Sequence, residues 1–235
     1  MSIIRSATAA GAAALLLAAG LPAASAHADD ARFDVVGWNL PAQRISSAGC
    51  RVIPIQAKLR IARGWTGWGS QNIMRGSTLE DVGWFQDDGK DSFQFCPAYG
   101  DAFGAYTVGP SMVNAYDPGS GASLETQDGT RGTLYIRRNA TATISTTRSG
   151  NYVTVKATAK RFVVQNSTGK YVAWPNAVAY VQVKSGTGWV TKKAVRTSST
   201  GLVSYRFYAP KAQTWRISVA TITDTLGVAT ASSTR

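Results

Sequence analysis

The sequence is poor in the side chains that carry nucleophilic and metal chemistry. Its 235 residues include one histidine, His27, and two cysteines. Ser–His and Cys–His catalysis, and zinc or copper centres built on histidine, all require an imidazole in the mature chain. Because His27 lies beside the predicted cleavage site of an export signal, these classes are excluded. We therefore expect a non-enzymatic protein without a metal or another cofactor.

Long apolar runs are also scarce, and the one that is present lies at the N-terminus. Residues 1–28 combine a cation at Arg5, an Ala/Leu run over Ala7–Gly20 and small residues up to Ala26 and Ala28. This order is typical of a secretory signal peptide that is cleaved after one of those two alanines. The run is too short to remain as a membrane anchor. We predict a secreted, extracellular protein with no transmembrane segment, either free or associated with the cell wall.

Acidic side chains are almost absent from the second half of the chain. Residues 29–131 hold 12 Asp and Glu against 9 Lys and Arg, whereas residues 132–235 hold one acid, Asp224, against 15 Lys and Arg. Such an asymmetry is typical of two domains with different surroundings or partners. We predict a domain boundary between these two ranges. The Gly-, Ser- and Asp-rich stretch 117–132 is predicted to be a linker, or a final hairpin plus a linker.

No convincing amphipathic helix is present, and the dominant period is the period of two that β-strands show. From Asn176 to Thr223, apolar and polar residues alternate over four consecutive segments that are separated by turn residues. This spacing is typical of a β-sandwich. We predict an all-β protein with two tandem immunoglobulin-like β-sandwich domains, residues 29–131 and 132–235.

Both cysteines, Cys50 and Cys96, fall in the first predicted domain. In an exported protein an isolated pair is most often a disulfide, and the alternative is two separate buried thiols. A bridge that closes this loop stabilises the fold by roughly 3–4 kcal/mol through the unfolded state. If the domain is immunoglobulin-like, Cys50 begins strand B and Cys96 ends strand E or begins the E–F corner. Tyr106 is then placed like a tyrosine-corner residue.

The second half also carries a family signature. The segments Val181–Lys184, Trp189–Thr197, Ser199–Ala209 and Trp215–Arg216 spell VQVK, WVTKKAVRT, STGLVSYRFYA and WR. This run resembles the immunoglobulin-like repeat of secreted actinobacterial proteins, and a signal followed by a disulfide-bearing first domain resembles the two-domain members of that group. The resemblance implies a fold and an extracellular compartment. It carries no catalytic residue, and many such proteins have no assigned activity.

Carboxylates of the first domain leave one enzymatic alternative open, a glycan-active enzyme that uses a pair of acids. The available acids are Glu80, Asp81, Asp87, Asp88, Asp91, Asp101 and Glu125. The cluster at Asp87–Asp91 favours a tight turn over a catalytic pair. A weak calcium loop is the other option for this cluster, because hard cations bind several oxygen atoms placed close together.

Two tryptophans, Trp65 and Trp68, lie in the glycine-rich stretch 63–72, which is predicted to be an aromatic loop. Two exposed rings in such a loop would form a stacking platform for sugars. The alternative, which we favour, is that one or both rings close the end of the sandwich core.

The excess cations of the second domain are the main candidate binding site. By strand parity they divide between the outer faces of two sheets and an edge; the candidates are Lys156, Lys160, Lys184, Lys192, Lys193, Arg206 and Arg216. A field of this sign recruits polyanions such as teichoic acids, acidic polysaccharides or extracellular DNA. No motif for sequence-specific nucleic-acid recognition is present.

The leading hypothesis is a secreted, non-enzymatic binding or cell-envelope-associated module whose basic second domain contacts an anionic polymer. In the alternative, the cations keep an edge-rich sandwich soluble in a structural protein, or in one with an unknown protein partner.

Overall fold

The structure, a computed structural model, describes residues 32–235, and its regular secondary structure is almost entirely β-strand. A short 3-10 turn covers Pro97–Tyr99. The predicted signal peptide, residues 1–28, and with it His27, lie outside the described residues. Within the described range, no helix is long and apolar enough to cross a membrane.

Nine strands form the first β-sandwich. They are β1 (Phe33–Asn39), β2 (Gln43–Ile45), β3 (Arg51–Ile61), β4 (Thr66–Arg75), β5 (Thr78–Gln86), β6 (Lys90–Phe95), β7 (Gly104–Tyr116), β8 (Ser123–Asp128) and β9 (Gly132–Arg138). One sheet has the order β1-β3-β6, and the other has the order β2-β9-β7-β4-β5 with β8 paired to β7. The alternation of β3 places Ile53, Ile55 and Ala57 in the core between the two sheets.

A disulfide and a tyrosine-corner hydrogen bond stabilise this sandwich, as predicted. Cys50 and Cys96 form a disulfide with a Cα–Cα distance of 4.0 Å, beside the antiparallel pair of Arg51 with Phe95. The Tyr106 hydroxyl donates a hydrogen bond of 2.5 Å to the Ala102 carbonyl, which is the contact of a tyrosine corner. Both predictions are confirmed.

Two segments bear on the predicted organisation. The stretch 117–132 contains the turn of a β7–β8 hairpin and strand β8 itself, as in the predicted alternative of a final hairpin. Strand β9, which the predicted boundary assigns to the second domain, pairs with β7 and β2 of the first sandwich. Its Leu134 and Ile136 are fully buried in that core, and this burial explains why the chain continues in the first sandwich up to Arg138.

Nine further strands form the second β-sandwich. They are β10 (Ala140–Ser149), β11 (Tyr152–Gln165), β12 (Thr168–Ala173), β13 (Val178–Ser185), β14 (Gly188–Arg196), β15 (Leu202–Tyr208), β16 (Thr214–Val219), β17 (Val228–Ala229) and β18 (Ser233–Thr234). One sheet has the order β10-β11-β12 with β15 on β11, and the other has the order β14-β13-β16-β17 with β18 on β16. Alternation buries Val153, Val155, Val181, Val183 and Trp215 between them. The protein is thus all-β, with two β-sandwiches.

The two sandwiches join directly and share contacts. The Arg138 amide donates to the Asp224 carbonyl at 2.8 Å, the Leu226 amide donates to the Arg138 carbonyl at 2.9 Å, and the side chains of Arg138 and Asp224 form an ion pair. Phe162, at the far end of β11, is 2% exposed and belongs to the core cluster of the first sandwich. The β11–β12 turn also reaches the first sandwich, where the Ser167 hydroxyl donates to the Ala98 carbonyl.

Candidate binding surfaces

The candidate cations of the second sandwich lie in three places. Lys156 and Lys160 on β11 point to the outer face of the first sheet, because the intervening Val155, Ala157 and Ala159 point into the core. Arg206 on β15 joins them: it pairs with Thr154, and Ser204 pairs with Lys156. The guanidinium of Arg206 lies 4.3 Å from the ring centroid of Tyr152. We call the outer surface formed by Lys156, Lys160 and Arg206 the basic face.

The other four cations are placed differently. Arg216 lies on the outer face of the opposite sheet, where its guanidinium is 4.3 Å from the Trp189 ring centroid and its Nε donates to Gln182 at 2.8 Å. Lys184 lies on that face too, as the strand partner of Trp189. Lys192 and Lys193 belong to the outer strand β14. The seven cations therefore do not form one patch.

The second sandwich has almost no carboxylates that could pair with these cations. Residues 140–235 hold 13 Lys and Arg and one acid, Asp224. That acid pairs with Arg138 of the first sandwich, not with a cation of the second. Within the described part of the chain, none of the 13 cations of the second sandwich forms a salt bridge with an Asp or Glu side chain.

The structure separates the two tryptophans of the predicted aromatic loop. Trp65 is half-buried, packs against the core cluster around Phe33, and has the Arg32 guanidinium 5.2 Å from its ring centroid. Trp68 is 44% exposed and lies on strand β4, so the prediction of a loop at this position is wrong. Its ring is 5.4 Å from that of Trp84 on β5, which is 59% exposed.

Local packing explains why a glycine-rich stretch forms strand β4. A side chain at Gly69 would overlap the ring of Phe85, which is buried directly beneath β4. The start of the strand is held by Asp87, which accepts hydrogen bonds from the Thr66 hydroxyl and, at 2.6 Å, from the Gly67 amide. The glycines thus permit close approach of a core side chain, and Trp68 is the outward-facing residue between them.

The acidic turn after β5 uses its carboxylates within the fold. Asp88 accepts a hydrogen bond from the Lys90 amide at 3.0 Å, and this bond lowers the pKa of Asp88 below its usual value. Asp91 accepts from Gln71 at 2.5 Å and from the Trp84 amide at 3.1 Å. In the range 32–235, no group of three or more His, Cys, Asp or Glu side chains is arranged to hold a metal ion.

Two exposed aromatics were not identified from the sequence, Trp84 and Tyr116. Trp84 pairs with Ser70, and Tyr116 pairs with Thr66, so both lie on the same outer face as Trp68. The signal in the sequence is the parity of β5 and β7, where Trp84 and Tyr116 alternate with the buried Phe85 and Ala115. We call the outer surface of β5, β4, β7 and β8 that carries these three rings the aromatic face.

Comparisons with known proteins return only distant structural likenesses. No protein-family model matches the chain, and no curated protein matches it. A tetra-tandem repeat from the extending region of a large adhesion protein is 14% identical with a TM-score of 0.34, covering 87% of this chain and 48% of that one. The D00-D0 domain of intimin is 17% identical with a TM-score of 0.28, covering 84% and 98%. Fibronectin(III)-like modules of Clostridium thermocellum CbhA are 15% identical with a TM-score of 0.31, covering 83% and 87%.

Proposed function

We propose that this protein is a secreted, non-enzymatic binding module whose basic second sandwich contacts an anionic polymer of the cell wall or extracellular matrix. The observation that carries the proposal is the absence of carboxylate partners for its cations: 13 Lys and Arg accompany one acid, and that acid pairs outside the second sandwich. Uncompensated charge of one sign creates a field that concentrates polyanions at the surface.

The basic face is the contact surface that this proposal favours. A shallow cleft of about 190 Å³ lies beside Lys156 on this face, and its lining includes Thr143, Ser145, Thr158 and Leu202. Hydroxyl groups around lysines offer hydrogen bonds to phosphate or sulfate oxygens. No Asp or Glu interrupts the sequence between Asp128 and Asp224, so no side chain on this face repels an anion.

The side chain of Arg206 is restrained by a neighbouring aromatic ring. The position of its guanidinium above Tyr152 is an interaction of the cation with the electron-rich face of the ring, and Tyr152 itself packs edge-on against Tyr208 at 5.6 Å. A side chain restrained in this way loses less conformational entropy on binding than a free one.

The carboxylates of the first sandwich support the non-enzymatic part of the proposal. Glu80 pairs with Arg75 at 2.8 Å, and Asp101 accepts a hydrogen bond from the Cys96 amide at 2.5 Å. The pKa of Asp117 is lowered, first by the hydrogen bond from Ser120. These three carboxylates thus stabilise turns and strand ends.

The test is retention of the full protein on isolated Gram-positive cell walls across a salt series. Walls stripped of teichoic acid by acid extraction serve as the second matrix. One triple variant removes the basic face (Lys156→Ala, Lys160→Ala, Arg206→Ala). The matched control removes the same charge elsewhere (Lys184→Ala, Lys192→Ala, Lys193→Ala).

We expect retention of the wild type at low salt, with loss by about half-molar salt as counterions displace the contacts. Each cation that contacts the polymer adds roughly 0.7 to the slope of log K against log salt, so removing the three cations of the basic face reduces this slope by about 2. The control triple should keep most of that slope. Equal loss in both triples would contradict the basic face, and no retention at any salt would contradict the proposal and favour a structural or protein-interaction role.

A further inference from the structure

We propose that the aromatic face of the first sandwich binds an extended, neutral polysaccharide chain. This site lies on the other sandwich from the basic face, and its ligand has different chemistry. Large exposed apolar patches are uncommon on soluble proteins and mark interaction sites. Trp84, Trp68 and Tyr116 are 59%, 44% and 52% exposed, respectively.

The strand register places the three rings on one diagonal. Trp84 is the partner of Ser70, Trp68 lies two residues earlier on β4, and Tyr116 is the partner of Thr66, another two residues earlier. Diagonal neighbours on adjacent strands are about 7–8 Å apart, so the rings follow a line of roughly 15 Å across three strands. A line of this length suits several sugar units of an extended chain.

Hydrogen-bonding groups lie beside the central ring on both sides. Gln86 on β5 and Asn114 on β7 are the direct strand partners of Trp68. Neither amide side chain has a hydrogen-bond partner in the part of the chain that the structure describes. Glu125 follows on β8 as the partner of Asn114. A sugar ring presents C–H groups on its face and hydroxyls at its rim, and this arrangement of rings between amides matches both.

The charges around the face exclude the other obvious ligands. Asp87, Asp88 and Glu125 line its clefts, and Lys90 is the one cation that lines them. A net negative surrounding repels nucleic acids, acidic polysaccharides and anionic membranes. The interleaved amides would be left without partners under an apolar protein surface, which costs free energy. A neutral polymer rich in hydroxyls meets neither penalty.

Clefts on the two sides of Trp68 give the chain a path. A cleft of about 500 Å³ is lined by Trp68, Trp84, Gln86 and Lys90, and one of about 210 Å³ on the other side is lined by Trp68, Asn114 and Tyr116. The strand between them is held by Asp87 at its start and by Phe85 beneath it. The site is therefore formed before the ligand arrives, which reduces the entropy lost on binding.

The experiment measures binding of cellohexaose, xylohexaose and chitohexaose to the full protein by calorimetry and tryptophan fluorescence. Working in about half-molar salt suppresses polyanion capture, so this result is independent of the basic face. The variants are Trp84→Ala and Trp68→Ala, and the matched control is Tyr99→Ala, an 84% exposed aromatic of the same sandwich outside the face.

We expect at least one hexasaccharide to bind and both tryptophan variants to lose roughly tenfold or more in affinity, as aromatic hot spots do. Tyr99→Ala should bind like the wild type, and the basic-face triple variant should as well. Binding that survives in both tryptophan variants would overturn the proposal. So would the absence of binding to all three probes, or a dimer in sedimentation velocity that Trp84→Ala dissociates, since the face would then be an interface between two copies.

Discussion

Removing the ring of Phe162 should uncouple the two sandwiches. Phe162 extends from β11 of the second sandwich into the core cluster of the first, where it is 2% exposed. Phe→Ala at a buried position costs about 3–5 kcal/mol of stability. This range includes the loss of the edge-on contact between the rings of Phe162 and Tyr171, whose centroids are 5.7 Å apart. Against a typical stability of about 5–15 kcal/mol, we expect Phe162→Ala to lower the free energy of unfolding by about 4 kcal/mol.

Urea unfolding of the disulfide-intact protein, followed by tryptophan fluorescence and circular dichroism, measures this loss. Because the ring comes from a strand of the second sandwich and is buried in the core of the first, the variant should also split one transition into two. Tyr208→Ala removes a 64% exposed aromatic from the same outer sheet surface and should change stability by less than about 0.5 kcal/mol. Gly169→Ala places a methyl group against the Phe162 ring and should destabilise by about 1–3 kcal/mol. A Phe162→Ala variant that unfolds like Tyr208→Ala would refute this account of the junction.

Three further outcomes are expected from the same unfolding assay. The double variant Cys50→Ser, Cys96→Ser should lose about 4 kcal/mol, since the bridge spans a separation of 46 residues; an unchanged midpoint would contradict this. Burial raises the pKa of Tyr106 above its usual value. The contribution of Tyr106 to the free energy of unfolding should therefore be complete below pH 10 and decline above it, as the tyrosine of the unfolded chain ionises. Tyr106→Phe should reduce that decline in a pH series. Asp224→Asn breaks the partly buried pair with Arg138 and should cost about 1–3 kcal/mol, whereas equal midpoints would show that the backbone contacts suffice.

The second sandwich was the more predictable part of the fold, because its strands are long and alternate regularly. Strand parity in the sequence places Val153, Val155, Ile217 and Val219 on the core side, and all four are buried. The same parity places Tyr205 on the core side, but Tyr205 is 36% exposed. Parity gives the face of a sheet, but it does not say how far the second sheet extends over that face.

The first sandwich shows what sequence patterns could not reveal. Glycines usually mark turns, so the stretch around Trp68 predicts a loop. The strand forms because Gly69 leaves room for Phe85, and that relation depends on a strand pairing that no local pattern contains. The charge asymmetry likewise does not give the end of the first sandwich, because Arg137 and Arg138 are cations at the end of a strand of that sandwich.

The direct junction also bears on how such a protein can be recombined. Domains joined by a flexible connection are readily exchanged, because cutting between them exposes little surface. Here Asn139 alone separates β9 from β10, and its side chain accepts a hydrogen bond from Arg44 and donates one to Tyr171. Separating the chain at this point would expose the Phe162 ring on the second sandwich and the pocket that holds it on the first. The two sandwiches should therefore be inherited and transplanted as one unit.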